Sequence, residues 1–171
     1  MGMEIKARHA RSLAASVCTT GTDIHAPSSA AKKAYDHALK AAIRPKGNLW
    51  VEFWTLMAVC VPGHALEIEA ITQREAFLAL RRQGNRDTEL CGIAYELRNH
   101  VQTLAGGGPV GRLVQSLHQL QWTWPSFRTM YDDWGCPIKW LNLPQGAFLH
   151  MLRASQRRAF LRKIKAKRHD L

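Results

Sequence analysis

One triplet in this sequence has the residue types of a metal-dependent active site. Tyr131-Asp132-Asp133 places two adjacent carboxylates after an aromatic side chain, and nucleic-acid polymerases hold two metal ions with such an aspartate pair on a hairpin turn. A working site of that kind needs a further, distant aspartate on an adjoining strand and a sheet long enough to fix both ions. Here Gly135 and Pro137 interrupt the second strand at once. Asp132-Asp133-Trp134-Gly135 therefore reads as turn chemistry, with an aspartate accepting local backbone hydrogen bonds. No complete polymerase active site is present, and no catalytic residue is assigned.

Other reactive side chains are equally isolated. Cys60 and His64 have the spacing of two metal ligands, but a zinc site needs four and no second tight pair accompanies them. Cys18, Cys60, Cys91 and Cys136 form no CxxC pair, which argues for free thiols in a reducing, intracellular compartment. Gly106-Gly107-Gly108 lacks the Lys-Ser or Lys-Thr of a phosphate loop and follows a helical pattern, not a strand. None of the eight histidines sits in a nucleophile motif. Neither a metal nor a cofactor is expected.

Charge is the informative feature. There are 24 Lys and Arg against 13 Asp and Glu, a net charge of +11, with an isoelectric point near 10.0. Such a balance selects polyanionic partners, nucleic acid first and an anionic membrane surface second. The excess is concentrated at the C-terminal end, where Arg153, Arg157, Arg158, Arg162, Lys163, Lys165, Lys167 and Arg168 occur with no acid among them. A helix carrying so many like charges repels itself, and phosphates would neutralise it; solvation alone is the competing account. These eight residues are the expected nucleic-acid-binding set, with Arg153, Arg157, Arg158, Arg162 and Lys163 all expected on the surface. A face of this kind follows a phosphate backbone, RNA or DNA, and reads little sequence. A second candidate is a helix-turn-helix around Gly106–Pro109, with Arg112, Gln115, Ser116, His118 and Gln119 on its recognition helix. An ordinary helical hairpin fits the long glycine-rich turn better.

The elements that must position these groups follow from periodicity. At 171 residues the chain has the size of one domain. It divides into a basic N-terminal helix and connector, residues 1–27, and a helical domain, residues 28–171. The first segment has the composition of a mitochondrial presequence, although a plain first helix is equally economical. Ser28 or Ser29 caps a helix through Arg44. Trp50, Phe53, Trp54, Met57 and Val61 form one aromatic helical face. The apolar run Leu49 to Val61 falls short of the roughly 20 residues that span a bilayer, so no transmembrane segment is expected. A helix from Ala65 to Gln83 ends at Gly84-Asn85, Asp87 or Thr88 caps the next through Leu104, and Pro109 opens a short one to Gln121. Phe127 to Tyr131 and Cys136 to Leu141 read as a hairpin, and helical patterning resumes from Gln145 almost to the end. The expected fold class is thus mainly α, with a small antiparallel hairpin at about 127–141 before a long basic C-terminal helix. Trp122, Trp124 and Trp140 are expected to pack that hairpin against the helices.

Several stretches between Ala58 and Leu171 resemble the region downstream of the reverse transcriptase domain in non-LTR (LINE-type) retroelement reading frames, particularly those of dinoflagellate genomes. They are Val61-Pro62-Gly63-His64-Ala65-Leu66, Gly108-Pro109-Val110, Leu120-Gln121-Trp122-Thr123-Trp124-Pro125-Ser126, Asp132-Asp133-Trp134-Gly135 and Lys167-Arg168-His169-Asp170-Leu171. The resemblance covers about two thirds of the chain, and none of these stretches is a functional signature. It implies a basic, helical, non-catalytic accessory segment that follows the polymerase. Neither fingers nor a full palm precedes Ala58, so it also implies a fragment or domesticated remnant. The alternative expectation is a basic structural component of a ribonucleoprotein assembly such as a mitochondrial ribosome. The corresponding locations are the nucleus or cytoplasm, and the mitochondrion.

Overall fold

The structure, a computed structural model, describes residues 27–43, 67–100 and 108–169, with Ile5 and His9 as isolated positions. The expected N-terminal helix, the aromatic face at 50–61, Cys60, His64 and most of the glycine loop lie outside the described residues. Five helices and a three-stranded sheet make up the rest: α1 (Ser29–Ile43), α2 (Ile68–Arg86), α3 (Thr88–Leu97), α4 (Gly108–Leu120), β1 (Thr123–Ser126), β2 (Thr129–Tyr131), β3 (Pro137–Ile138) and α5 (Gln145–His169). The mainly α architecture, with its small antiparallel sheet before a long C-terminal helix, is the one the sequence pattern predicts.

Helix boundaries follow local chemistry. Ser28 caps α1, its Oγ accepting from the Ala31 N–H at 3.1 Å. Asp87 caps α3 through the Leu90 N–H at 3.0 Å, and a 3₁₀ turn, Arg98–His100, follows. Gly84 does not end α2, which runs on to Arg86. Its missing side chain serves packing instead, since a Cβ there would lie 2.6 Å from Leu141 Cδ2 and 3.2 Å from the Trp140 ring. α4 closes with a Schellman arrangement: Gln121 N–H donates to the His118 carbonyl at 3.0 Å and Trp122 N–H to the Leu117 carbonyl at 2.8 Å. That geometry needs a left-handed residue, and Gln121 supplies it with φ of 61°.

The expected hairpin is present as β2 and β3, and β1 is added on the far side of β2. Met130 pairs with Ile138 across β2 and β3, and both are fully buried, so this pair fixes which face meets the helices. β1 contains Pro125, which an edge strand accommodates at an irregularity in register between Thr123 and Ser126. Its outer carbonyls are covered by the end of α3, with Tyr95 Oη donating to Pro125 O at 2.6 Å and Arg98 Nε to Trp124 O at 3.1 Å.

Aromatic rings fill the space between helices and sheet. Phe77 of α2 meets Trp122 at 5.2 Å and Phe148 of α5 at 5.9 Å, centroid to centroid. Trp124 and Trp140 meet edge to face at 6.0 Å. Trp122, Trp124 and Trp140 are all buried, as their placement at the sheet predicts. Trp140 Nε1 is satisfied by the Phe127 carbonyl at 2.8 Å. A glutamine relay then ties three helices: Gln156 Nε2 donates to Ala70 O at 2.7 Å and to Gln73 Oε1 at 3.2 Å, and Gln73 Nε2 donates to Gln119 Oε1 at 2.9 Å.

Candidate nucleic-acid interface

Helix α5 carries no acid along its whole length, yet its cations have different partners. Arg153, Arg157 and Lys165 are exposed and make no ion pair among the described residues. Lys165 lies about 120° round the helix from Arg153, on the side of Arg158, while Arg153 and Arg157 form one stripe, about 6 Å apart along the axis and about 40° apart around it. His150 lies exposed on the same stripe. The side chains of Lys167 and Arg168 lie outside the described residues.

Arg158 and Arg162 sit about 100° and 140° round the helix from Arg157 and face the β2–β3 turn. Asp133 is the reason. Its side chain is 1% exposed and accepts from Arg158 through two nitrogens, one of them Nε at 2.8 Å, from Arg162 Nη1 at 3.0 Å and from Ser155 Oγ at 2.8 Å. Ser155 in turn accepts from Trp122 Nε1 at 2.9 Å, which links the cluster to the aromatic core. Burial pushes the Asp133 carboxyl up, but the hydrogen bonds from Arg158, Arg162 and Ser155 outweigh it and hold the group far below the usual carboxylate range. Arg158 moves the other way: its bond to Asp133 raises it.

Lys163 turns to the opposite flank, where its Nζ meets Glu67 Oε1 at 2.7 Å and also Glu69. Glu69 is shared with Lys32 of α1 at 3.2 Å. Burial lowers the Lys163 ammonium, and the two carboxylates more than offset it, so the net shift is upward. The expectation of five equivalent surface cations is therefore corrected: Arg153 and Arg157 are free for a partner, whereas Arg158, Arg162 and Lys163 join α5 to the rest of the fold. Sequence spacing alone did not separate them, because the acids that claim the second group lie 25 to 96 residues away in the chain.

Asp132 is equally occupied. Its Oδ1 accepts the backbone N–H of Trp134 at 2.9 Å and of Cys136 at 2.8 Å, the local turn chemistry read from the sequence. Gly135 completes the reversal at φ of 78°. Both carboxylates of the triplet thus bind donors of the protein itself. Among the described residues no cluster of three or more His, Cys, Asp or Glu could hold a metal ion, and no helix is long and apolar enough to cross a membrane.

Two further arginines that count toward the basic charge are internal. Arg81 is buried and donates to the Trp140 carbonyl and, from Nη2 at 2.6 Å, to the Leu143 carbonyl; burial lowers its guanidinium. Arg112 and Ser116 are buried as well. Of the five residues assigned to a recognition helix, Gln115, His118 and Gln119 reach the surface, whereas Arg112 and Ser116 are buried, so the expected set is not presented whole.

On the turn-facing side of α5 the surface holds one conspicuous aromatic group. Trp134, at the tip of the β2–β3 turn, is 73% exposed, and the Arg158 guanidinium carbon lies 4.0 Å from its ring centroid. No family model, curated protein or solved structure matches the chain.

Proposed function

We propose that this chain is a non-catalytic nucleic-acid-binding module that grips the phosphate backbone with the outer face of α5. The observation that carries the reading is that Arg153, Arg157 and Lys165 are exposed on a helix without acids. The fold finds internal carboxylates for Arg158, Arg162 and Lys163 and leaves Arg153, Arg157 and Lys165 to solvent. Exposed guanidinium and ammonium groups spread over about a third of the helix circumference suit the phosphates of a backbone, RNA or DNA, that runs along the helix. The setting we assign to such a module is an accessory segment of a reverse transcriptase-associated retroelement protein, on the resemblance of its residues. A reverse transcriptase frame upstream of the gene supports that setting, and an isolated, intron-bearing gene counts against it.

The direct test is binding of a fluorescent oligonucleotide as salt is raised. The triple variant Arg153→Gln/Arg157→Gln/Lys165→Gln should keep its melting curve, because exposed substitutions usually stay within about 0.5 kcal/mol each. Its slope of log K against log salt should flatten by about 2 on a single strand, at roughly 0.7 per lost phosphate contact. Unchanged affinity and slope would show that these three cations are merely solvated.

A further inference from the structure

We infer that Trp134 is a base-stacking platform and that the partner of the basic face is a single-stranded nucleic acid. The inference rests on the proposed phosphate-binding role of α5 and adds the class of strand. Trp122, Trp124 and Trp140 are at most 5% exposed, whereas Trp134 is 73% exposed, the most open of the large apolar side chains among the described residues. An indole left in water forgoes roughly the stabilisation that its buried counterparts gain.

The turn does not leave the ring loose. Trp134 N–H is bound to Asp132 Oδ1, Gly135 N–H donates to the Asp132 carbonyl at 2.9 Å, and one ring face lies against Arg158 at 4.0 Å. That guanidinium is itself clamped from behind by buried Asp133. One face of the indole is thus backed by a fixed cation and the other is open to solvent. A flat open ring stacked on a cation of the basic helix, Arg158, next in sequence to exposed Arg157, suits a single strand: phosphates follow the cations while an unpaired base stacks on the aromatic face. A duplex keeps its bases stacked on one another and makes no use of the ring.

The test compares two fluorescent probes of about twelve nucleotides, a site size within the range of single-strand binders. One is a single strand, in ribose and deoxyribose forms, and the other is a duplex of the same length. Trp134→Ala should lower single-strand affinity about ten-fold or more, the loss of one stacked base, and change duplex affinity less than two-fold. Trp134→Phe should recover part of it. Circular dichroism and the melting curve of each variant separate this loss from a loosened Arg158. A preference between the ribose and deoxyribose probes then identifies the strand chemistry. Equal losses on both probes, or no loss on the single strand, would overturn the stacking role and leave the phosphate-binding reading standing. Absence of binding by the wild-type chain to any probe would overturn both.

Discussion

Asp133 lies under Arg158 and Arg162 as a buried carboxylate shared between two guanidinium groups, its side chain 1% exposed against 19% and 39% for its partners. The second aspartate of a polymerase-like triplet is in this fold a fastener that holds the C-terminal helix on the sheet. Asp133→Asn keeps the shape and removes the charge. The cost should be about 2 to 3 kcal/mol at neutral pH, less than the 3 to 5 of a fully buried broken pair, because both arginines keep some contact with water. The carboxyl is held below its ordinary value, so its contribution is complete above the unfolded value of about 3.9 and is lost as pH falls from there toward the folded value. Denaturant titrations at pH 7, 4 and 2.5 should therefore show the gap between wild type and Asp133→Asn closing only in the acid range. A gap independent of pH would mean that packing, not charge, is lost.

Arg81 holds the chain between β3 and α5 by donating to the carbonyls of Trp140 and Leu143 while lying 4.8 Å over the Phe148 ring. Only a planar fork reaches two carbonyls and stacks at once. Arg81→Lys should thus cost about 2 kcal/mol despite conserving charge, and Arg81→Met a similar amount or more, since buried carbonyls left without donors cost about 1 to 3 kcal/mol each. A lysine variant as stable as wild type, by urea denaturation, would show that one donor suffices.

Gln121 occupies a left-handed conformation that favours glycine, with φ of 61°. Relieving the Cβ strain should make Gln121→Gly stabilising by about 1 kcal/mol, reduced by the greater freedom that glycine gives the unfolded chain. Gln121 is exposed, so no packing is lost. A lower melting temperature in this variant would show that the Gln121 side chain has a role of its own.

The sequence pattern shows this fold most clearly where one local rule decides the outcome. Ser28 and Asp87 cap helices by short-range bonds, Asp132 and Gly135 close a turn within five residues, and the change of period at Trp122 marks the sheet. β1 is less legible because Pro125 argues against a strand, and only its edge position makes the proline acceptable. The proposed binding face is legible as a charge and not as a geometry. All eight C-terminal cations are plain in the sequence, but the split between Arg153 with Arg157 and Arg158 with Arg162 depends on Asp133, which meets α5 only once the sheet is folded against it. Trp134 has the same history: nothing in its type tells an exposed ring from Trp124 or Trp140, both buried.

Gly84 and Gly92 separate two reasons for a glycine inside a helix. At Gly92 of α3 an added Cβ would meet nothing within 4 Å, so Gly92→Ala should gain the ordinary helix preference for alanine, about 0.5 to 1 kcal/mol. At Gly84 of α2 the same methyl would press on Leu141 Cδ2 and the Trp140 ring. Leu141 can turn aside, but Trp140 is fully buried and fixed by its bond to Phe127 O. Overpacking of this kind costs about 1 to 3 kcal/mol, which should cancel the propensity gain and leave Gly84→Ala less stable than wild type. Thermal melts of the two single variants decide the point, for a rise in both would show that the loop between β3 and α5 yields to α2 and that Gly84 is no more than a weak helix residue.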